Sequence, residues 1–377
     1  PRVNTPTAVA PAVQPALHAP IAPPPSRTVL TRRNLMFGGL AAATAIAVPA
    51  ALLLPRRAAS GSISEYSPPK VVVTAEHTLT VDGMCVHLAF SPDGKTLACG
   101  GYASQGGKAV QLWDVDRGTP TATLPAGDYS SAMAYLPDGK TLAVCGHEDV
   151  NVWNVDSGDK VASFATHDDG GFLAVRPDGK ILATSGGHGV RLWDTRTRDK
   201  IATLADTVAN VMAFSPDGKH LAAVVPDDGG ADSVVRVWEV DSGKQTVELP
   251  TGANSLEFFP DGKALAVGSF EVDTARGRTR LWDLATGKRV STLAGKGPSM
   301  ALSLDGTILV TGGEPGDPGA WCWDPNTGHR LNTLTSKETE EMTFSPKGDT
   351  IAAIDRESTI DNSDTSKVML WTLKKGS

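Results

Sequence analysis

A short turn motif recurs seven times along the chain, and this repetition restricts the fold more than any other feature. The copies, each close to Ser-Pro-Asp-Gly-Lys, begin at Ser91, Leu136, Arg176, Ser215, Phe259, Ser303 and Ser345. A tryptophan follows each copy, at Trp113, Trp153, Trp193, Trp238, Trp282, Trp323 and Trp371. Successive tryptophans are 40 to 48 residues apart, a period typical of arrays of repeated supersecondary units.

One repeat contains the signals for four short strands. Proline presets φ and glycine accepts the left-handed conformation, so Pro-Asp-Gly is expected to join strand a to strand b. A Leu-Ala pair marks strand b, and Trp-Asp or a close variant ends strand c. A second turn, such as Asp156-Ser157-Gly158, precedes a short strand d, such as Lys200 to Leu204. Four strands make one propeller blade, so we predict an all-β, seven-bladed β-propeller over residues 71–377.

Alignment of the repeats predicts how the blades pack. Strand a carries a large flexible hydrophobic residue in every repeat: Leu88, Met133, Leu173, Met212, Leu256, Met300 and Met342. The next residue is alanine in five repeats: Ala89, Ala134, Ala174, Ala213 and Ala301. Neighbouring side chains point to opposite faces of a strand, so a large face should meet a small face at each blade interface. The methionines are therefore interpreted as core residues rather than ligands.

The ends of the repeat region predict how the ring closes. Only six residues follow Trp371, too few for a turn and a fourth strand, whereas Val71 to Thr80 forms an unassigned strand before the first turn. We expect this N-terminal strand to complete the seventh blade, which would leave no exposed ring edge.

The repeated Trp-Asp pattern over residues 71–377 resembles the WD40-repeat family. That family places Gly-His before strand a, but most repeats here lack it; Ala126-Gly127-Asp128 and Thr251-Gly252-Ala253 are examples. The buried hydrogen-bond network that the resemblance implies therefore cannot be intact in most blades. We expect packing to hold this propeller together, with the seven tryptophans as structural residues.

The region before the repeats divides into three segments. Residues 1–30 are a Pro/Ala-rich linker whose composition favours extended chain over a packed core, and residues 58–70 are a second linker. Between them, residues 31–57 contain a run without charge from Leu35 to Leu54. As a helix, twenty such residues span about 30 Å, the thickness of a bilayer's hydrocarbon core. We therefore predict a single-pass transmembrane helix over 31–57, through residues 35–54.

An export signal is the alternative interpretation of the same segment. Thr31 to Met36 resembles a twin-arginine signal, in which case the protein would be secreted. Arg27, Arg32 and Arg33 lie close before the apolar run, and Arg56 and Arg57 follow it; by the positive-inside rule this excess favours an extracytoplasmic propeller. Because the first residue is Pro1, we take the chain to be part of a longer polypeptide or a processed product.

Charge and cysteine content narrow the classes of partner. Residues 1–64 hold six of the 35 basic residues and no acid, which leaves residues 65–377 with 42 acids, 29 bases and a net charge of −13. This acidic body argues against nucleic acid, and the acid-rich loops at 226–233, 270–278 and 355–367 suit a basic partner or a cation. The four cysteines lack metal-site spacing; we expect buried thiols, with a Cys99–Cys145 disulfide as the alternative.

No catalytic, metal-binding or cofactor-binding motif was found, so the candidate site is a binding surface at the mouth of the ring. The residues expected there share no chemistry, as suits a recognition surface: Met84, Tyr129, Asp169, Val208, Gly252, Lys296 and Glu338. The histidines His147, His167 and His188 fall in adjacent repeats, but we interpret them as solvated loop residues rather than metal ligands.

The sequence thus predicts a membrane-tethered WD40 propeller that acts as a protein-interaction or sensor module, scaffolding a protein or peptide without catalysis. Two alternatives remain open. The tether, span and propeller together resemble the C-terminal region of a bacterial membrane-anchored serine/threonine kinase, whose catalytic domain would lie upstream. The third interpretation is an exported propeller enzyme of the lactonase or hydrolase type, which would need convergent His, Asp or Glu residues at the mouth.

Overall fold

The repeats form a ring of seven four-stranded antiparallel sheets. The computed structural model describes residues 70–376 except 104–109, 128, 147–148, 167–170, 229, 231, 272–275, 294–298, 315–316, 336 and 357–364. Every element named in this part of the chain is a β-strand, which makes the protein an all-β, seven-bladed propeller. The predicted linkers and transmembrane segment lie outside the described residues. Within the described part, no helix has the length and apolar character needed to cross a membrane.

The strands follow the predicted order a, b, c, d within each blade. The first strand of the described chain is β1 (Lys70–Asp82). Blade 1 contains β2 (Met84–Phe90), β3 (Thr96–Tyr102), β4 (Val110–Asp114) and β5 (Thr119–Leu124). Blade 2 contains β6 (Ala132–Tyr135), β7 (Thr141–Cys145), β8 (Val150–Asn154) and β9 (Lys160–Phe164). Blade 3 contains β10 (Phe172–Val175), β11 (Ile181–Gly186), β12 (Gly189–Asp194) and β13 (Lys200–Ala205).

The remaining blades repeat this arrangement. Blade 4 contains β14 (Met212–Phe214), β15 (His220–Pro226), β16 (Ser233–Glu239) and β17 (Gln245–Leu249). Blade 5 contains β18 (Ser255–Phe258), β19 (Ala264–Glu271), β20 (Arg276–Asp283) and β21 (Lys288–Leu293). Blade 6 contains β22 (Met300–Leu302), β23 (Leu309–Glu314), β24 (Asp317–Trp323) and β25 (Arg330–Thr335). Blade 7 contains β26 (Thr339–Phe344), β27 (Thr350–Asp355) and β28 (Thr365–Gly376), and its fourth strand is β1.

Strand β1 is hydrogen-bonded to β28 along nearly its whole length. The antiparallel register runs from Lys70 opposite Gly376 to Asp82 opposite Thr365, with one irregularity between Val73 and Ala75. The seventh blade is thus built from both ends of the described chain.

The a-to-b turns have the backbone that their sequence predicts. Their glycines all adopt φ between 67° and 72°: Gly94, Gly139, Gly179, Gly218, Gly262, Gly306 and Gly348. In each, the glycine N–H donates to the carbonyl three residues earlier, as in Gly94 to Ser91 at 2.8 Å. An L side chain at these positions would be strained, which explains the invariable glycine.

The core consists of seven apolar clusters, and each cluster joins two neighbouring blades. The large residue of one strand a packs beside the small residue of the preceding blade, as Met133 does beside Ala89 and Met212 beside Ala174. The large-to-small packing predicted from the alignment is therefore confirmed. All seven repeat tryptophans are buried, with exposed fractions of 8% or less.

Hydrogen bonds to the tryptophans are unevenly distributed. The indole Nε1 of Trp193 donates to Thr184 Oγ1, and that of Trp323 donates to Thr311 Oγ1, both at 2.9 Å. In four other blades the buried Nε1 has no acceptor among the described residues: Trp113, Trp153, Trp282 and Trp371. Packing rather than a repeated hydrogen-bond network therefore holds most blade interfaces.

The structure contradicts the Cys99–Cys145 disulfide. All four cysteines are buried free thiols. Cys99 faces blade 7 and packs with its residues Ala352 and Ile354, whereas Cys145 faces blade 3. Two side chains that point into different blade interfaces cannot be joined without rebuilding both.

Candidate functional site

The antiparallel order of the strands gives the ring two different faces. The a-to-b and c-to-d turns lie on one face, which we call the turn face. The b-to-c and d-to-a connections lie on the other, which we call the loop face. Because the a-to-b and c-to-d turns repeat while the loop-face connections differ in length and sequence, the loop face is where the copies can differ without disturbing the scaffold.

The predicted mouth residues divide between described and undescribed positions. Met84, Tyr129, Val208, Gly252 and Glu338 lie at the loop-face ends of the innermost strands or in the connections to them. Asp169 and Lys296 lie outside the described residues.

Met84 and Tyr129 are brought together by a residue that the sequence did not single out, Tyr102. Met84 is the register partner of Tyr102 at the loop-face end of blade 1, and Tyr102 forms an isolated β-bridge with Tyr129. The two tyrosine rings lie 4.6 Å apart between centroids at an interplanar angle of 38°. Tyr102 is 46% exposed, although most large apolar side chains of the described chain are buried. We call Met84, Tyr102 and Tyr129 the tyrosine patch.

The tyrosine patch has a rigid base. The Ser130 N–H donates to the Gly101 carbonyl at 2.8 Å, next to the bridged tyrosines. A Cβ on Gly101 would lie 2.0 Å from the carbonyl oxygen of Met84, so β2 approaches β3 too closely there for any side chain. Rigid, exposed tyrosines supply large contact area at a small entropic cost and are enriched among the residues that dominate interface energies.

Glu338 belongs to a charged group on blade 7. Its carboxylate lies 3.5 Å from Arg356 Nε, and Glu340 lies 3.8 Å from the same atom. Beside them, Lys337 Nζ lies 3.1 Å from Asp355 Oδ2, and the Asp355 side chain is only 3% exposed. Glu338 thus shares one guanidinium with Glu340, so its negative charge is partly balanced and attracts a basic ligand less strongly than its sequence position suggested.

The acid-rich loop of blade 4 is partly neutralised as well. Asp228 forms an ion pair with Arg236, and Glu248 bonds the same guanidinium at 2.9 Å. Hydrogen bonds from these two carboxylates, Glu248 first, raise the pKa of Arg236. Val208, in the loop that enters blade 4, is 40% exposed and adds apolar surface to the loop face.

Blades 7 and 1 meet at a buried polar contact that we call the seam. Glu341 Oε2 lies 3.0 Å from His87 Nδ1, and its Oε1 accepts the Leu88 N–H at 2.9 Å. The Cys85 N–H donates to Ser366 Oγ at 2.9 Å. Burial raises the pKa of Glu341, while the nearby His87 opposes that rise. These contacts join residues more than 250 positions apart, so no local pattern could predict them.

A second buried carboxyl, Glu257, has no hydrogen-bond partner among the described residues. It lies on β18, the innermost strand of blade 5, where five other blades carry alanine, and only 7% of it is exposed. Burial raises the pKa of Glu257 well above its usual value. The sequence alignment of the repeats shows glutamate in place of alanine at this position, so Glu257 could have been identified from the sequence.

The histidine trio is not assembled by the described residues. His188 lies exposed in the tight b-to-c turn of blade 3, and His147 and His167 lie outside the described residues. Across the described chain, no group of three or more His, Cys, Asp or Glu residues has the geometry of a metal site.

The fold is a seven-bladed propeller whose loop face carries the exposed ring of Tyr102 beside that of Tyr129. Two family models match the sequence: the WD domain, G-beta repeat, over residues 70–114, and PQQ_2, described as outer membrane protein assembly factor BamB, over residues 101–333. Because the second match covers more than half of the chain, the protein belongs to the PQQ_2 family. A comparison with curated proteins found no match.

Solved structures share the fold at low sequence identity. Kuenenia stuttgartiensis hydrazine synthase matches with a TM-score of 0.63 and 20% identity, covering 84% of this chain and 99% of that one. The β-propeller domain of Myceliophteria thermophila Cps50 (Swd1) matches with a TM-score of 0.63 and 14% identity, covering 79% of this chain and 100% of that one. At these identities the likeness concerns the propeller architecture alone.

Proposed function

We propose that this protein is a membrane-tethered interaction module that holds a protein or peptide partner on the loop face of its propeller and catalyses no reaction itself. The observation that carries the proposal is the tyrosine patch, where the exposed ring of Tyr102 lies beside the partly buried ring of Tyr129 on a closely packed base. An exposed aromatic cluster on an otherwise well-packed scaffold marks an interaction site.

The family supports the same role. The PQQ_2 description names an outer membrane protein assembly factor, and a role in assembly involves contact with other proteins. The net charge of −13 over residues 65–377 favours a basic partner. This charge acts by long-range electrostatic attraction, whereas Glu338 and Asp228 are each partly balanced by a neighbouring arginine.

The tether and the side of the membrane are part of the proposal. The apolar run at residues 35–54 has the length of a single span, and the arginines before it favour an extracytoplasmic propeller. Protease added to intact cells should then degrade the propeller, whereas protection until lysis would place it in the cytoplasm. Secretion through a twin-arginine signal would instead release the propeller into the soluble fraction.

Site-specific photo-crosslinking of the full chain in its own membranes tests the interaction role. A benzophenone side chain at Tyr102 should give an adduct of defined mass with another protein. The matched control is Val290, which is 68% exposed on the outer strand of blade 5 and should give none. Equal labelling at both positions, or none at either, would contradict a docking role for the loop face.

The kinase alternative predicts a catalytic domain encoded before Pro1, so the upstream coding sequence tests it directly. Such a domain would be compatible with the docking role, because the propeller would then select the partner on which the kinase acts.

A further inference from the structure

We infer that Cys85 and Cys99 are a redox modification site: two adjacent buried thiols that close to an intramolecular disulfide when the protein folds in the presence of a small-molecule disulfide oxidant. Both thiols are free in this structure, so the disulfide is a further state of the protein. This inference is independent of the proposed docking role.

The register of blade 1 places the two side chains next to each other. Cys85 lies opposite Gly101, and Cys99 lies opposite Leu88, in the antiparallel pair β2–β3. Gly101 has no side chain, and the close backbone approach leaves no room for one. Cys99 is therefore a diagonal neighbour of Cys85 across the ladder, on the same face of the sheet.

Contacts of the thiols agree with this placement. Both residues belong to the apolar cluster between blades 7 and 1, with exposed fractions of 2% and 1%. Cys85 is among the groups that raise the pKa of the Cys99 thiol, as expected for two side chains that lie on the same face of the β2–β3 pair. The remaining cysteines differ, because Cys145 faces blade 3 and Cys322 faces blade 7.

Blade 1 can accommodate the shortening that a disulfide requires. Two bonded sulfurs lie about 2.05 Å apart, closer than any hydrogen-bonded thiol pair. The ladder between β2 and β3 is irregular between Cys85 and His87, where Val86 is out of register. The strands are already in close contact at Gly101, so the sulfurs are brought together by rotation of the two side chains and by adjustment of the unpaired Val86 backbone, which no ladder hydrogen bonds fix.

The reaction is thiol–disulfide exchange. The thiolate of Cys85 attacks a small disulfide such as oxidised glutathione, forming a mixed disulfide and releasing one glutathione thiolate. The Cys99 thiolate then attacks the Cys85 sulfur and releases the second. Two protein thiols are oxidised, one glutathione disulfide is reduced to two thiols, and the two protein protons pass to the departing thiolates.

The surroundings of Cys85 and Cys99 determine at which stage of folding the two thiols react. Burial, together with Cys85 and Glu341, raises the pKa of the Cys99 thiol, and a raised pKa reduces the thiolate that exchange needs. The folded protein should therefore react slowly, while a chain whose blades 7 and 1 have not yet joined should react readily. The state of the pair would record the redox conditions under which the propeller folded.

Refolding in a glutathione redox buffer tests the inference. Full-length protein is denatured, reduced and refolded with reduced and oxidised glutathione, then denatured and alkylated with iodoacetamide for intact-mass and peptide analysis. We expect two alkylated cysteines, Cys145 and Cys322, and a linked peptide pair that contains Cys85 and Cys99. Protein refolded without oxidant should carry four alkyl groups.

Three variants make the outcome decisive. Cys145→Ser should still form the linked pair, whereas Cys85→Ser and Cys99→Ser should each leave the remaining partner alkylated. Complete alkylation of Cys85 and Cys99 in wild-type protein that has refolded with oxidant would overturn the inference. A linked pair involving Cys145 or Cys322 would overturn it as well. Because the wild-type protein carries the main measurement, a variant that fails to fold leaves the test intact.

Discussion

At the scale of single residues, the repeats share one backbone scaffold but differ in whether the buried tryptophan N–H has a hydrogen-bond acceptor. Among the described residues, Thr184 and Thr311 are the two whose hydroxyl accepts the indole N–H of the blade's tryptophan. At the same register position, blade 2 has Val144 and blade 5 has Val267. Both valines are fully buried, and the nearby indole nitrogens lack acceptors among the described residues.

The substitution Val267→Thr should therefore stabilise the propeller. Threonine has nearly the shape of valine and would supply the missing acceptor to Trp282, a gain of about 1 kcal/mol for one buried hydrogen bond. The reverse change, Thr184→Val, should cost about the same or more because it leaves Trp193 without a partner. Urea unfolding followed by tryptophan fluorescence measures both, and a loss of stability in Val267→Thr would contradict the prediction.

Glu257 should make stability depend on pH. Its pKa is raised in the folded protein, so the folded state keeps a proton that the unfolded state releases. Stability is then greatest below the unfolded-state pKa and falls as the pH rises toward the folded-state value. Glu257→Ala, which restores the residue found in five blades, should remove this loss and stabilise the protein near neutral pH by about 1–3 kcal/mol.

Urea midpoints at pH 5 and pH 8 test this prediction, with a larger gain expected at pH 8. The control is Glu76→Ala, which removes one carboxyl group of the same kind from an exposed position on β1. Equal gains for the two variants would assign the effect to net charge rather than to the buried carboxyl.

At the scale of strands, β1 differs from every other outer strand. It spans 13 residues, whereas the outer strands of blades 1 to 6 have five or six. No c-to-d turn limits its length, because its partner β28 comes from the other end of the described chain. Leu79 and Val81 of β1 are almost completely buried in the cluster that joins blades 7 and 1.

A chain that begins at Lys70 should fold as the longer chain does, whereas one that begins at Gly83 should not. The shorter chain exposes the edge of β28 and loses the buried side chains of Leu79 and Val81, each worth about 1.5–3 kcal/mol. Near-ultraviolet circular dichroism and thermal unfolding compare the two. A cooperative transition at the same temperature in the chain from Gly83 would show that β1 is dispensable.

At the scale of the whole molecule, the sequence predicted the ring and missed the contacts that make its copies unequal. Seven turns and seven tryptophans were readable because each feature is local and repeated. Tyr102 was not predicted because its position at the end of a strand does not indicate whether the ring is exposed. That depends on how the connection that carries Tyr129 folds beside it. The contact between His87 and Glu341 was not predicted because only closure of the ring brings the two residues together. Cys99 was paired with Cys145 because equivalent positions in two repeats do not reveal which blade interface each side chain faces.

The direction of β1 also determines at which face of the propeller this strand begins. Lys70, at the start of the strand, lies on the turn face beside Gly376, whereas the strand ends at Asp82, two residues before Met84 of the tyrosine patch. Thirteen residues of extended strand span about 40 Å. If the protein is attached to a surface through the residues before Lys70, that surface faces the turn face. A partner can then reach the tyrosine patch on the loop face without meeting the surface.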